Sequence, residues 1–202
     1  MTTKADRLVE LIDNGFEDHV LPVVIIGRHE MNSESKILEI SNLNSNSYVI
    51  RSSAIDEDQI FSNAGKYLSI LNVRIEEVFS SAAQVFASYV NSNVDDQVFV
   101  QPYLENVTRS GVIFTRDPNS GARYYVINSS HGKDTTAVTS GSVNGTLEII
   151  FDSDLQGLSS TIVEKNRDLI RLVQRVSTFY NNVPLDIDFG QTESSIILFQ
   201  VR

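Results

Sequence analysis

The sequence predicts an α+β fold. Strands and helices are mixed without the strict βαβ alternation of a doubly wound sheet, and the second half is rich in strands. The chain also closes on an apolar hairpin. The elements follow in order. Ala5, Leu8, Val9, Leu11 and Ile12 fall at helical spacing and Gly15 follows, giving a helix over 4–14 with a glycine stop. Val23–Ile26 reads as a strand, Ser41–Ser47 as a polar loop, Tyr48–Arg51 as a short strand and Ser52–Gly65 as loop-like. Ile75, Val78, Phe79, Ala82, Phe86 and Tyr89 mark one face of a helix over about 72–91. Asn91–Asp96 is a polar break and the expected lobe boundary, dividing the chain into 1–95 and 96–202. Gln97–Leu104, Gly111–Thr115, Arg123–Asn128 and Thr146–Phe151 read as strands. A long helix is expected over about 158–180, from Ile162, Leu169, Ile170, Leu172, Val173, Val176 and Phe179. Leu185–Phe189 and Ile196–Arg202 form the closing hairpin around the polar turn Gly190–Ser195.

Composition narrows the function. The 202 residues carry 16 Lys plus Arg against 26 Asp plus Glu, a formal net charge of −10. That balance argues against broad nucleic-acid binding, which rests on neutralising phosphates with Lys and Arg. A local cluster of cations can still hold a small anion. With no cysteine, disulfide scaffolds, zinc knuckles, iron–sulfur sites and cysteine nucleophiles are excluded, and a reducing cytoplasm is the expected compartment. The longest strongly apolar stretch, Val20–Ile26, is broken by Pro22 and is far short of the about 20 residues a membrane helix needs. The P-loop, GxGxxG, HExxH, EF-hand and GxSxG patterns are all missing. His19, His29 and His131 are scattered, with no metal-ligand spacing.

Five constellations remain. In YVIRSSAIDED a strand delivers Arg51, suited to forked recognition of phosphate oxygens, with Ser52 and Ser53 as neutral donors beside it. The alternative is an arginine paired with the nearby acids. In SNAGKY, small residues around Gly65 allow backbone amides to approach phosphates, or form a plain turn. In VFVQPY, Pro102 stops strand pairing, leaving backbone for a flat heterocycle or a simple strand end. In RSGVIFTRDPNSG, Arg116 is a phosphate ligand or the partner of a neighbouring acid. In the hairpin, Asp186 and Asp188 share one face of the first strand, and Gln200 and Arg202 one face of the second. If the faces coincide, carboxylates, an amide and a guanidinium meet, as Mg²⁺ with a polyphosphate requires.

In this order the blocks VIRSSAIDED, NAGKYLSILNV, VFVQPYL, SGVIFTRDPNSG and DIDFG with IILFQVR resemble the ATP-binding domain of the phosphoenolpyruvate synthase and pyruvate phosphate dikinase family. Glucan water dikinases and rifamycin phosphotransferases share that domain. The resemblance covers residues 47–202 well and the first 46 loosely. It implies an ATP-grasp fold, with a reduced N-terminal lobe over 1–95 and a C-terminal lobe over 96–202. It implies ATP and Mg²⁺ as cofactors. Arg51 matches the arginine on the ATP phosphates and Gly65 the small residue of the phosphate flap. Gln101 matches the glutamine at the adenine edge, with Tyr103 beside it. Asp188 stands where the family has a glutamate metal ligand. Gln200 and Arg202 match the Gln-x-Arg that contacts metal and phosphates, and Lys4 is the nearest equivalent of an early family lysine. Arg51 and Arg202 are then the catalytic cations.

The implied activity is that of a kinase-type phosphotransferase, whose phosphoryl group goes to a histidine on a swivelling domain and then to a small-molecule acceptor. Neither the swivelling domain nor the acceptor domain is recognisable in this sequence, and His131 in SSHGKD does not match the carrier motif. The expectation is one domain of a larger enzyme, partnered by those domains and not by nucleic acid or membrane. The compact ATP-grasp portion of L-glutamine kinase is also similar. The second reading is a degenerate module that binds nucleotide or partners without catalysis. It rests on Asp at 188, the missing glycines before Lys4 and the short first lobe.

Overall fold

A computed structural model describes residues 3–55, 67–90, 93–132, 145–151 and 161–202. The chain forms two compact units, Met1–Glu105 and Asn106–Arg202. Among the described residues no helix is long and apolar enough to cross a membrane.

The first unit opens with α1 (Lys4–Leu11). Thr3 caps it reciprocally: its hydroxyl accepts from the Asp6 amide at 3.2 Å and the Asp6 carboxylate accepts from the Thr3 amide at 2.9 Å. Ala5, Leu8 and Leu11 are buried, and each leucine contributes roughly 1.5–3 kcal/mol. The helix widens into a π-type turn over Ile12–Phe16 and stops where Gly15 takes φ +87°, as the sequence anticipates. β1 (Val24–Gly27), α2 (Glu34–Ser41), β2 (Tyr48–Ser53), β3 (Ser69–Val73), α3 (Val78–Ala87) and β4 (Gln97–Pro102) follow. The strands form an antiparallel sheet in the order β1-β4-β2-β3. One face, with Ile26, Tyr48, Ile50, Val98 and Val100, packs against Ile40 of α2 and Val78, Ala82, Val85 and Phe86 of α3. The Ala5 amide donates to Ser53 Oγ at 3.0 Å, which sets α1 on the other face.

Three expectations change here. The helix expected over 72–91 is shorter, because Ser69–Val73 pairs with β2 and a 3-10 turn at Ile75–Glu77 precedes α3. Glu34–Ile40, unassigned from the sequence, is helical, and the helix takes in Ser41, expected as the start of the polar loop. The boundary falls between Glu105 and Asn106 and not at 95/96. The polarity of 93–96 serves a turn. Buried Asp96 accepts from the Asn93 amide at 2.8 Å and the Ile55 amide at 3.3 Å, and pairs with Arg28 at 3.5 Å. The next strand, β4, pairs with β1 and β2 inside the first unit.

The second unit is a five-stranded antiparallel sheet of β5 (Arg109–Phe114), β6 (Tyr124–His131), β7 (Thr146–Phe151), β8 (Asp186–Gln191) and β9 (Ile196–Val201), with α4 (Thr161–Phe179). The strand order is β7-β6-β5-β8-β9. Leu169, Ile170, Leu172, Val173 and Val176 form the buried stripe of α4. Asn166, which accepts from Arg109 and donates to Glu148, seats the helix on the sheet face that carries Ile113, Ile127, Ile150 and Ile187. Residues 158–160, expected as the start of this helix, lie outside the described residues. The other face of the sheet carries the candidate site.

Candidate functional site

The site in the second unit is built by a bulge. Gln191 pairs with Ile196, Gly190 with Ile197 and Phe189 with Leu198. Continued regularly, this register would set Asp188 opposite Phe199 and turn Gln200 to the far face. The register shifts after Phe189, so Phe199 is an extra residue and Asp188 pairs with Gln200. Asp186 then stands opposite Arg202, the two exchanging backbone hydrogen bonds of 2.8 Å each. All four polar side chains come to one face. Gly190 makes room for this arrangement, since a Cβ there would lie 2.6 Å from the Phe199 ring at Cε2 and closer still to Cζ.

The Arg202 guanidinium lies 4.0 Å from the Asp188 carboxylate. With its amide turned to satisfy both groups, the Gln200 oxygen accepts from Arg202 Nη2 at 3.2 Å and from Nε. Burial pushes the Asp186 carboxyl above its ordinary range; Arg202 opposes that push and the charge of Asp188 adds to it. On the neighbouring strand, Val112 pairs with Asp188 and Phe114 with Asp186, a half-buried apolar flank. Asp186, which alternation sets on the same face as Asp188, belongs to the cluster by register.

These donors are all hard oxygens. Among the described residues no group of three or more His, Cys, Asp or Glu stands close enough to hold a metal ion. Two carboxylates and an amide beside a guanidinium suit Mg²⁺, which is usually held by one or two carboxylates with phosphates and water completing its shell.

The first unit carries a second set. Arg51 sits within β2, opposite Ser69 of β3 and Phe99 of β4. Lys4 is the first residue of α1 and is 8% exposed. Ser53 is fully buried and its hydroxyl accepts from the Ala5 amide, which ties α1 to β2. Gln101 is buried, and its amide donates to the Leu21 carbonyl at 2.9 Å, tying β4 to the segment before β1. The half-buried Tyr103 follows β4 and its backbone amide donates to the Ser47 carbonyl at 2.9 Å. Gly65 lies outside the described residues.

Residues 12–189 match the family model described as the pyruvate phosphate dikinase AMP/ATP-binding domain. No curated protein matches the chain. Among solved structures, the chain is similar to a dinucleotide-forming acetyl-coenzyme A synthetase from Ca. Korarchaeum cryptofilum, in complex with coenzyme A and Ca-AMPCP (13% identity, TM-score 0.57, covering 97% of this chain and 96% of that one). It is also similar to D-alanine–D-alanine ligase from Helicobacter pylori (12%, 0.50, covering 100% and 53%) and to D-alanyl-alanine synthetase A from Vibrio cholerae (16%, 0.52, covering 99% and 58%). The chain thus spans little more than half the length of those two enzymes. At these identities the likeness is one of fold, and the fold is ATP-grasp. With the family model matched over most of its length, the chain belongs to the pyruvate phosphate dikinase AMP/ATP-binding domain family.

Proposed function

We propose that this chain is the ATP-binding part of a kinase-type phosphotransferase of the dikinase group, working in the cytoplasm. The observation that carries the reading is the register of the last hairpin, which sets Asp188 against Gln200 and Asp186 against Arg202 on one face. Asp188 and Gln200, with Asp186 beside them, would hold Mg²⁺. When bound, that ion draws charge from the phosphate oxygens. Arg202 orients the polyphosphate through its planar fork, and Arg51 and Lys4 of the first unit neutralise charge as the phosphoryl group leaves. Gln101 and Tyr103 lie at the adenine edge. Such catalysis is positioning plus electrostatics, with no covalent work for the protein beyond it. The phosphoryl group passes to a histidine on a separate swivelling domain and then to a small acceptor. This chain by itself binds Mg²⁺-ATP without completing transfer.

Isothermal titration with ATP, ADP and AMP, with and without Mg²⁺, tests the reading. Mg²⁺-dependent ATP binding is expected, weakened at least about tenfold in Arg51→Ala and in Arg202→Ala, a factor worth about 1.4 kcal/mol. Unchanged affinity in both variants would overturn the assignment. A well-folded chain that binds no nucleotide would favour the degenerate module, which the shorter Asp at 188 supports.

A further inference from the structure

We infer that Ser53 is a positioning residue for Lys4, and that it thereby sets the preference of the site for a nucleoside triphosphate over a monophosphate. The inference rests on the reading of Lys4 and Arg51 as phosphate ligands. The first amides of a helix find no acceptor within it. In α1 the Asp6 amide is taken by Thr3, and the Ala5 amide by Ser53 Oγ at 3.0 Å, from a strand 48 residues further along the chain. Ser53 and Gln97 are cross-strand partners in β2 and β4. The Gln97 side-chain oxygen accepts from Thr3 Oγ1 at 3.4 Å. The two residues that flank Lys4, Thr3 and Ala5, are therefore each bonded to one member of the Ser53–Gln97 pair.

That pair is itself fixed from the other side. The Ser53 amide donates to the Tyr89 hydroxyl at 3.0 Å, and that hydroxyl donates to the Gln97 carbonyl. Ser53 and Arg51 are two residues apart on one strand, so their side chains share a face. The Ser53 hydroxyl thus fixes the backbone of Lys4 at the end of the strand face that presents Arg51. Two cations held by one strand match a chain of phosphates better than a single phosphate. Losing the hydroxyl frees the first turn of α1 and leaves Arg51 in place.

The test compares wild type, Ser53→Ala, Ser53→Val, Ser53→Thr, Lys4→Met and the double variant Ser53→Ala/Lys4→Met. Each is titrated with ATP and with AMP in Mg²⁺, and amide exchange is followed at Ala5. The Val and Thr variants share a shape and differ by the hydroxyl, so they separate its loss from crowding. Loss of one positioning hydrogen bond is expected to weaken ATP binding about fivefold in Ser53→Ala and Ser53→Val, with AMP binding changed by less than about twofold. Ser53→Thr stays near wild type in both. The double variant binds ATP no more weakly than Lys4→Met. Ala5 exchange accelerates only where the hydroxyl is gone. Faster Ala5 exchange with unchanged ATP affinity would overturn the inference. So would equal losses for ATP and AMP, or losses that add to those of Lys4→Met. Unchanged ATP affinity in Lys4→Met would instead overturn the reading of Lys4 itself, whatever the exchange data show.

Discussion

Asp186 and Arg202 exchange both backbone hydrogen bonds, at 2.8 Å each, across the last pair of the closing hairpin. Arg202 follows directly on β9, and this double bond fixes its backbone at the end of that strand. Its side chain then meets Gln200 through Nε and Nη2, with the Asp188 carboxylate 4.0 Å from Nη2. A lysine would keep the charge and lose the fork. Arg202→Lys is expected to weaken Mg²⁺-ATP binding about tenfold or more, close to the loss in Arg202→Ala, while the melting temperature moves by only about 2 °C. Calorimetric titration beside a thermal melt measures both. Wild-type affinity in the lysine variant would mean that charge alone is recognised.

The bulge makes a prediction of its own. Gly190 lies under the Phe199 ring, and a methyl group there would come within 2.6 Å of Cε2. Phe199 is buried, so the ring has little room to give. Gly190→Ala is expected to cost roughly 1–3 kcal/mol from overpacking. Adding Phe199→Leu to Gly190→Ala should recover most of that, because the branched side chain ends short of the ring edge. Urea unfolding of the two single variants and the double gives the coupling. An additive pair would show that ring and glycine do not oppose one another.

The same bulge marks the limit of what the sequence reveals. Alternation places Asp186 with Asp188 and Gln200 with Arg202, and the apolar runs and polar turn foretell the hairpin. Whether the two faces coincide depends on one unpaired residue, Phe199, which no alternation pattern signals. The long stripe of α4 was legible for the same reason that the short elements were not. Nineteen residues give the helical period room to show, whereas α2 has eight residues and β3 five. That the Ser53 hydroxyl accepts from the Ala5 amide was not legible, because the two lie 48 residues apart.

Glu30 supplies the pH dependence. Its carboxylate accepts from the Gly27 amide at 2.8 Å and lies 3.4 Å from Lys36. The hydrogen bond from the Gly27 amide holds it below its ordinary value of 4.5; burial, the next influence, opposes this, and Lys36 adds to the lowering. A carboxyl depressed by folding stabilises fully above its unfolded value and loses that contribution as pH falls through its folded one. Glu30→Gln should therefore be less stable than wild type by about 0.5–1 kcal/mol at pH 7, with the gap closing below about pH 4. Chemical unfolding at pH 7, 5 and 3.5 follows it. A gap that stays constant across that range would assign the loss to shape rather than charge.

On the sheet face opposite the site, Arg109 is 3% exposed and fully engaged: Nε donates to Ser129 Oγ at 2.9 Å, Nη1 to Asn166 Oδ1 at 2.8 Å and Nη2 to Glu148 Oε2 at 3.0 Å. Burial draws its pKa down and Glu148 works against that. Lys165 reaches the second Glu148 oxygen at 3.2 Å but is 44% exposed, so water screens its share. Removing one member of such a pair strands the other charge in the interior. Glu148→Ala is expected to cost about 3–5 kcal/mol. Replacing both members, as Arg109→Met with Glu148→Leu, should recover most of that, since desolvation of the two ions offsets much of their attraction. The double variant should also keep its Mg²⁺-ATP affinity, because this network touches α4, β6 and β7 on the far face while Asp186, Asp188, Gln200 and Arg202 stand on the other. Urea unfolding and titration calorimetry on the single and double variants separate the two effects. A double variant that is stable yet binds no ATP would show that the buried charges shape β8 through the sheet, where Arg109 lies 5.5 Å from the Phe189 ring centre, one residue from Asp188.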